Sequence, residues 1–221
     1  NPKETLAQSI IRVLADFGVE RIFGIPGGGS SLDLMEEACR SGMEVVLTRT
    51  ESAAALMASV TGELTGTPGA AFSGIGPGAA SAVNGVAYAS LERAPMVMFC
   101  DFRTAGAEAS SHQVFDQQVL YAPITKERDR LEPEKGAARL SEMLTAALRH
   151  PRGPVQVDLS ARDSSGISHS QGGKPAQEKD PVSGDLEIAR KLIEKTLRPI
   201  VIAGLESRKE GAPDALIRLA G

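Results

Sequence analysis

Glu51 is the residue best placed to do chemistry. It stands as a lone acid in VVLTRTESAAALMAS, residues 45–59, where an apolar run ends and an alanine-rich segment begins. A glutamate in the first turn of a helix is commonly only a partner for the helix dipole, worth under about 1 kcal/mol. The small apolar residues that follow argue for more. They demand close packing, which sets the start of the helix at the carboxyl edge of a sheet, where open α/β sheets place ligands. A carboxyl group buried there needs a partner and suits one strong hydrogen bond.

Two glycine-rich turns compete with it for attention. FGIPGGGSS, residues 23–31, joins a strand to a helix through Pro26 and three consecutive glycines. It would let a ligand touch the backbone where a Cβ would collide, although any α/β protein needs such turns. SGIGPGAAS, residues 73–81, contains GxGxxA from Gly74 to Ala79, the dinucleotide fingerprint, and Asp101 at the end of the next strand is placed to hold a ribose. Against that, Pro77 removes an N–H from the anion cradle, and the turn follows the third strand instead of the first. An NAD-binding, Rossmann-type oxidoreductase domain is therefore the second reading.

The elements that position these residues follow from the apolar pattern. Leu6, Ile10, Val13, Leu14 and Phe17 recur at helical spacing, Gly18 stops the helix, and RIFGI reads as a short buried strand. The step repeats. A helix from Ser30 or Ser31 stops at Gly42 before EVVLT, and the Glu51 helix runs to about Gly66 before GAAFS. Helices over about 77–91 and 133–150 lead into PMVMFCD and PVQVDLS. Short apolar strands without polar alternation, separated by helices, require cover on both faces. The fold class is α/β, a mostly parallel sheet with helices on both faces. This domain spans residues 1–162. Residues 163–184 are rich in Ser, Gly, Pro and charge and read as a linker. Residues 185–221 read as a helix, a strand and the start of a second helix, too little to close a core, so the chain is expected to stop inside a second domain.

Composition excludes several partners. The 221 residues carry a net charge of −4 with both signs interspersed, so no basic stripe suits nucleic acid. No run of about 18 apolar residues suits a membrane, and the amino terminus lacks signal-peptide order, which predicts a cytoplasmic protein. Cys39 and Cys100 are far apart in apolar settings and read as two buried thiols. His112, His150 and His169 have no zinc-site spacing, and His150, before Pro151, is expected to cap a helix dipole.

The segments FGIPGG, RTE at 49–51, GPGAAS at 76–81, HQVFDQQVLYAPITK at 112–126 and RGPVQVDLS at 152–160 carry a resemblance. In order and spacing the chain resembles the acetolactate synthase-like family of thiamin diphosphate enzymes. Residues 1–162 are similar to its amino-terminal pyrimidine-binding domain, and 185–221 to the opening of its central domain. The resemblance implies that Glu51 hydrogen-bonds the cofactor's aminopyrimidine and favours its imino tautomer, whose 4′-nitrogen takes the thiazolium C2 proton. It implies cofactor contacts from Pro26, Gly27, Gly76, Pro77, Gly78 and Ser81, and substrate-facing roles for His112 and Gln113. The substrate it implies is a 2-oxo acid.

Departures fall near the site. Thr50 stands where histidine is usual, VTGE at 60–63 replaces GYAR, Ala79-Ala80-Ser81 replaces ATN, and Val114 replaces the acid of FQE. They leave a decarboxylase, a synthase and an acyltransferase open. The family's GDG-to-Asn segment, which holds the diphosphate through Mg²⁺, does not occur in this chain, so Mg²⁺ is expected on a domain absent from it. The resemblance then implies a homo-oligomer, at least a dimer, with the site shared between subunits, and a chain inactive alone. A non-catalytic subunit of a two-chain enzyme is the remaining alternative.

Overall fold

The computed structural model describes residues 4–103, 113–173, 183–198, 200–208 and 211–220. It divides into two units, 1–176 and 177–221. In the first unit a capping box opens α1 (Leu6–Asp16): Thr5 Oγ1 accepts from the Gln8 N–H, and Gln8 Oε1 accepts from the Thr5 N–H at 2.9 Å. Gly18, at φ +81°, turns the chain into β1 (Arg21–Gly24). Next come α2 (Ser30–Ser41), β2 (Glu44–Leu47), α3 (Glu51–Thr65), β3 (Gly69–Ser73), α4 (Pro77–Glu92) and β4 (Met96–Phe102). The unit ends with α5 (Gln117–Tyr121), β5 (Glu127–Arg130), α6 (Gly136–Leu148), β6 (Pro154–Ser160) and α7 (Ala161–Ser164).

The six strands form one sheet in the order β2-β1-β3-β4-β6-β5, every pairing parallel. Strand alternation divides its side chains between two cores. Ile22, Phe72, Val97, Phe99, Val157 and Leu159 pack with α1, α2 and α6 on one face. Phe23, Ala71, Met96, Met98 and Cys100 pack with α3 and α4 on the other. Both faces are covered, as expected of strands that read as continuous apolar runs. The second core is built from small residues. A Cβ on Gly85 of α4 would lie 2.5 Å from the Ala55 Cβ of α3, so the two helices touch at backbone distance.

The structure corrects several expectations. ERDR at 127–130 is a strand with no apolar signal, because it is the sheet edge, where charge is tolerated. The expected linker does not begin at 163: through Gly173 the chain belongs to the first unit. The Leu6 N–H donates to Gly166 O at 2.8 Å, the Ser168 N–H to Glu4 O at 2.8 Å and the Gly173 N–H to Ser141 Oγ at 3.0 Å. Cys39 is exposed, on the solvent side of α2 next to the buried Ala38; Cys100 is buried as expected. The end of α6 is capped by Lys126, whose Nζ donates to Ala146 O, to Arg149 O at 2.6 Å and to Pro151 O at 2.8 Å.

The second unit contains α8 (Ser183–Glu194), a 3-10 turn at Leu205–Arg208 and α9 (Ala212–Ala220). The strand expected at IVIAG forms no ladder among the described residues, and Ile200 and Ile202 are each 89% exposed. A strand needs a partner for its N–H and C=O groups, and this unit offers none among those residues. Among the described residues no helix is long and apolar enough to cross a membrane.

Candidate functional site

From β1 the chain passes to α2 on one face of the sheet, and from β3 to α4 on the opposite face. Their carboxyl ends diverge between adjacent strands, the point at which open α/β sheets hold ligands. The two glycine turns meet there. A Cβ on Gly27 would lie 2.8 Å from Gly74 Cα and 2.5 Å from Asp101 Oδ2. Gly28, by contrast, has nothing within 4 Å among the described residues.

Glu51 enters from β2, the edge strand. Thr50 caps α3 by accepting from the Ala53 N–H at 3.1 Å, which makes Glu51 the first helical residue. The adjacent Ser52 Oγ donates to Ser81 O, tying the start of α3 to the first turn of α4. The Glu51 carboxylate consequently lies beside Gly78: a Cβ there would be 3.3 Å from Glu51 Oε1. Glu51 is half-buried, and among the described residues its carboxylate makes no hydrogen bond or ion pair. Beneath it Tyr121 is fully buried and donates to Ala79 O at 2.5 Å. Burial, then the neighbouring Cys100, Asp158 and Glu51, push the Tyr121 phenol far above its ordinary range, so it is a permanent donor.

Asp101 is already engaged. Its Oδ1 accepts from Ser30 Oγ and from the Ser31 N–H, both at 2.7 Å, and its Oδ2 accepts from Ser31 Oγ at 2.9 Å. Ser31 Oγ in turn accepts from the Gly27 N–H at 2.9 Å. This carboxylate anchors the 26–31 turn to the sheet and is not available to hold a ribose. The dinucleotide reading loses the acid it relied on.

The 74–78 turn has a second anchor that sequence reasoning missed. Gly76, at φ +57°, donates its N–H to Gln117 Oε1 at 2.8 Å. Gln117 is buried and donates from Nε2 to Asp101 O at 3.2 Å and to Asp158 Oδ1 at 2.8 Å. Asp158 also accepts from Gln156 at 2.7 Å and Gln118 at 3.2 Å. Burial raises its carboxyl above the ordinary value, opposed by these amide hydrogen bonds and by Arg130. Gln117 lies within HQVFDQQVLYAPITK, but the only hint was that segment's motif, since a buried amide leaves no hydropathy signal.

Of the sequence-predicted residues, the structure gathers Gly27, Glu51 and the Gly76-Pro77-Gly78 turn at one edge, with Pro26 beside Gly27 and Ser81 one turn into α4. Gln113 is exposed; its backbone oxygen meets the turn, 1.8 Å from where a Gly76 Cβ would be, with its own Cβ 3.3 Å from the same point. His112 lies outside the described residues. One cleft, of about 970 Å³ between α1 and α2, is lined by residues such as Arg12, Ala15 and Met43, and another of about 520 Å³ by Phe102, Arg130 and Asp158. Glu51 lines neither of these two clefts. Among the described residues no three His, Cys, Asp or Glu side chains group as metal ligands.

Residues 4–122 match the family described as thiamine pyrophosphate enzyme, N-terminal TPP binding domain. The chain is similar to the probable acetolactate synthase large subunit of Methanocaldococcus jannaschii, with 32% identity over 232 residues, 97% of this chain and 38% of that protein. It is also similar to the probable 2-ketoarginine decarboxylase AruI of Pseudomonas aeruginosa, 29% identical over 223 residues, 92% of this chain and 38% of that protein. The pyruvate oxidase of Lactiplantibacillus plantarum is 26% identical over 216 residues, 92% of this chain and 35% of its own length. The chain thus spans less than two fifths of the length of these relatives. It belongs to the thiamine pyrophosphate enzyme family, carries that family's N-terminal cofactor-binding domain and is acetolactate synthase-like.

Proposed function

We propose that this chain is the amino-terminal part of a thiamin diphosphate-dependent enzyme acting on 2-oxo acids, with Glu51 holding the cofactor's aminopyrimidine. The observation that carries the proposal is a half-buried carboxylate at a helix start, unpartnered among the described residues and faced by Gly78, where a Cβ would intrude to 3.3 Å. That arrangement suits a flat heterocycle with a ring nitrogen to share a proton. Glu51 would hold that hydrogen bond, while Gly27 and the Gly76-Pro77-Gly78 turn would border the ring and Pro26 and Ser81 would flank them. The bound cofactor would supply an electron sink for the pair left behind when a 2-oxo acid loses its carboxylate.

The work of this chain's own residues is orientation and proton holding. Thr50 and Ser52 fix the start of α3, and Gly78 leaves the carboxylate uncovered from the α4 side. The diphosphate and Mg²⁺ fall to another part of the protein, since oxygen ligands in an octahedral array are needed. The rest of the site around Glu51 falls to a partner subunit in this reading, which makes the working unit at least a homodimer. Relatives named for pyruvate and for 2-ketoarginine support a 2-oxo acid substrate without choosing one.

The test is to offer the complete protein pyruvate and longer 2-oxo acids with thiamin diphosphate and Mg²⁺. Carbon dioxide release that needs both is expected, together with a thermal shift from thiamin diphosphate and none from NAD. A shift with NAD alone, and no turnover of any 2-oxo acid, would remove the proposal.

A further inference from the structure

We infer that Gln117 is a positioning residue for the cofactor-activating acid, acting through the turn at 74–78; this rests on the reading of Glu51 given above. The turn is a thin slab of backbone. On one side Gly78 lies against the Glu51 carboxylate; on the other, Gly76 is held by the 113–117 segment. Two contacts hold it. The Gln113 carbonyl oxygen occupies the space where a Gly76 side chain would be, which sets how close the slab lies, and the Gly76 N–H ends on Gln117 Oε1, which sets its orientation.

Gln117 suits that task because its own amide cannot swing. Both N–H directions are taken, by Asp101 O at 3.2 Å and Asp158 Oδ1 at 2.8 Å, and these acceptors belong to adjacent strands, β4 and β6. Asp101 simultaneously secures the Gly27 turn through Ser30 and Ser31. One buried amide thereby links the glycine turns at the diverging strand ends into a single hydrogen-bonded frame, with Glu51 facing it. Gln117 does not touch Glu51; it determines where the backbone opposite Glu51 lies. Ground-state binding needs only that the turn be present, whereas the reacting geometry needs it within a fraction of an ångström.

Three variants of the complete protein test this. Gln117→Met keeps the volume and removes every hydrogen bond. Gln117→Glu keeps an oxygen for the Gly76 N–H and replaces the amide donor to Asp158 Oδ1 by one proton shared between the two carboxyl groups. Gln117→Asn withdraws the amide by one methylene and stands in should the methionine variant not fold. Gln117→Met, or Gln117→Asn in its place, is expected to lower kcat by roughly 10- to 100-fold with KM for the 2-oxo acid within about twofold. Gln117→Glu is expected to recover part of that loss. Amide hydrogen exchange at Gly76 should accelerate in the methionine or asparagine variant and stay slow in the glutamate one. Wild-type kcat in Gln117→Met, or an equally protected Gly76 amide, would overturn the assignment. If Glu51→Gln abolishes turnover while Gln117→Met does not, only the role of Gln117 fails; if Glu51→Gln turns over normally, the reading beneath it fails.

Discussion

At Gly76 a methyl group has nowhere to go. The backbone is at φ +57°, and the added carbon would fall 1.8 Å from the Gln113 carbonyl oxygen. Gly76→Ala should therefore cost about 2 kcal/mol or more in urea unfolding, while Gly28→Ala, in open space, should stay within about 0.5 kcal/mol. Equal costs would contradict the geometry. The thiols separate as sharply. Burial, reinforced by Asp158, pushes the Cys100 thiol up to about 12 from an ordinary value of 9.0, whereas Cys39 is exposed. Because the folded-state value is raised, folding favours the protonated thiol. That contribution is complete below the ordinary value and is lost as pH climbs toward 12. A thiol reagent at pH 8 should label one cysteine in the native chain and both in urea; rapid labelling of two in the native chain would count against a buried Cys100. Glycine as a mark of close approach was legible in the sequence, but which glycine was not. Gly27 and Gly76 are pressed and Gly28 is free because of what other segments bring to them.

Among the elements, apolar strands and helices at 3.6-residue spacing were legible because burial leaves a repeating trace. What escaped was held by polar groups. β5 is charged because it is an edge, and 166–173 is held by backbone hydrogen bonds that no side-chain pattern announces. The α6 terminus is the clearest case. His150 before Pro151 suggested a cap, yet Lys126, distant in sequence, places its ammonium among the carbonyls of Ala146, Arg149 and Pro151. Burial lowers the lysine's affinity for its proton, with Arg149 adding to this and Glu127 opposing it. The carbonyls would be left without their donor in Lys126→Met. Its unfolding free energy should fall by about 1–3 kcal/mol in urea titration. An unchanged unfolding free energy would contradict the lysine as the cap.

For the whole molecule, the β2-β1-β3-β4-β6-β5 order explains why residues far apart in sequence share one edge. Two connections leave neighbouring strands toward opposite faces, and the helix that begins at Glu51 crosses back from the sheet edge to meet them. The place of Glu51 at the start of α3 was legible from an acid set against small residues, and the five motifs supplied the family. Gln117 was not, because its importance lies in three partners contributed by three other strands or turns. The most direct measurement is kcat for 2-oxo acid turnover by the complete protein, saturated with thiamin diphosphate and Mg²⁺, for the wild type and for Glu51→Gln at equal thermal midpoint. A drop of roughly 100-fold or more is predicted, as for the loss of a positioned proton-transfer group; turnover equal to the wild type would contradict the assignment of Glu51.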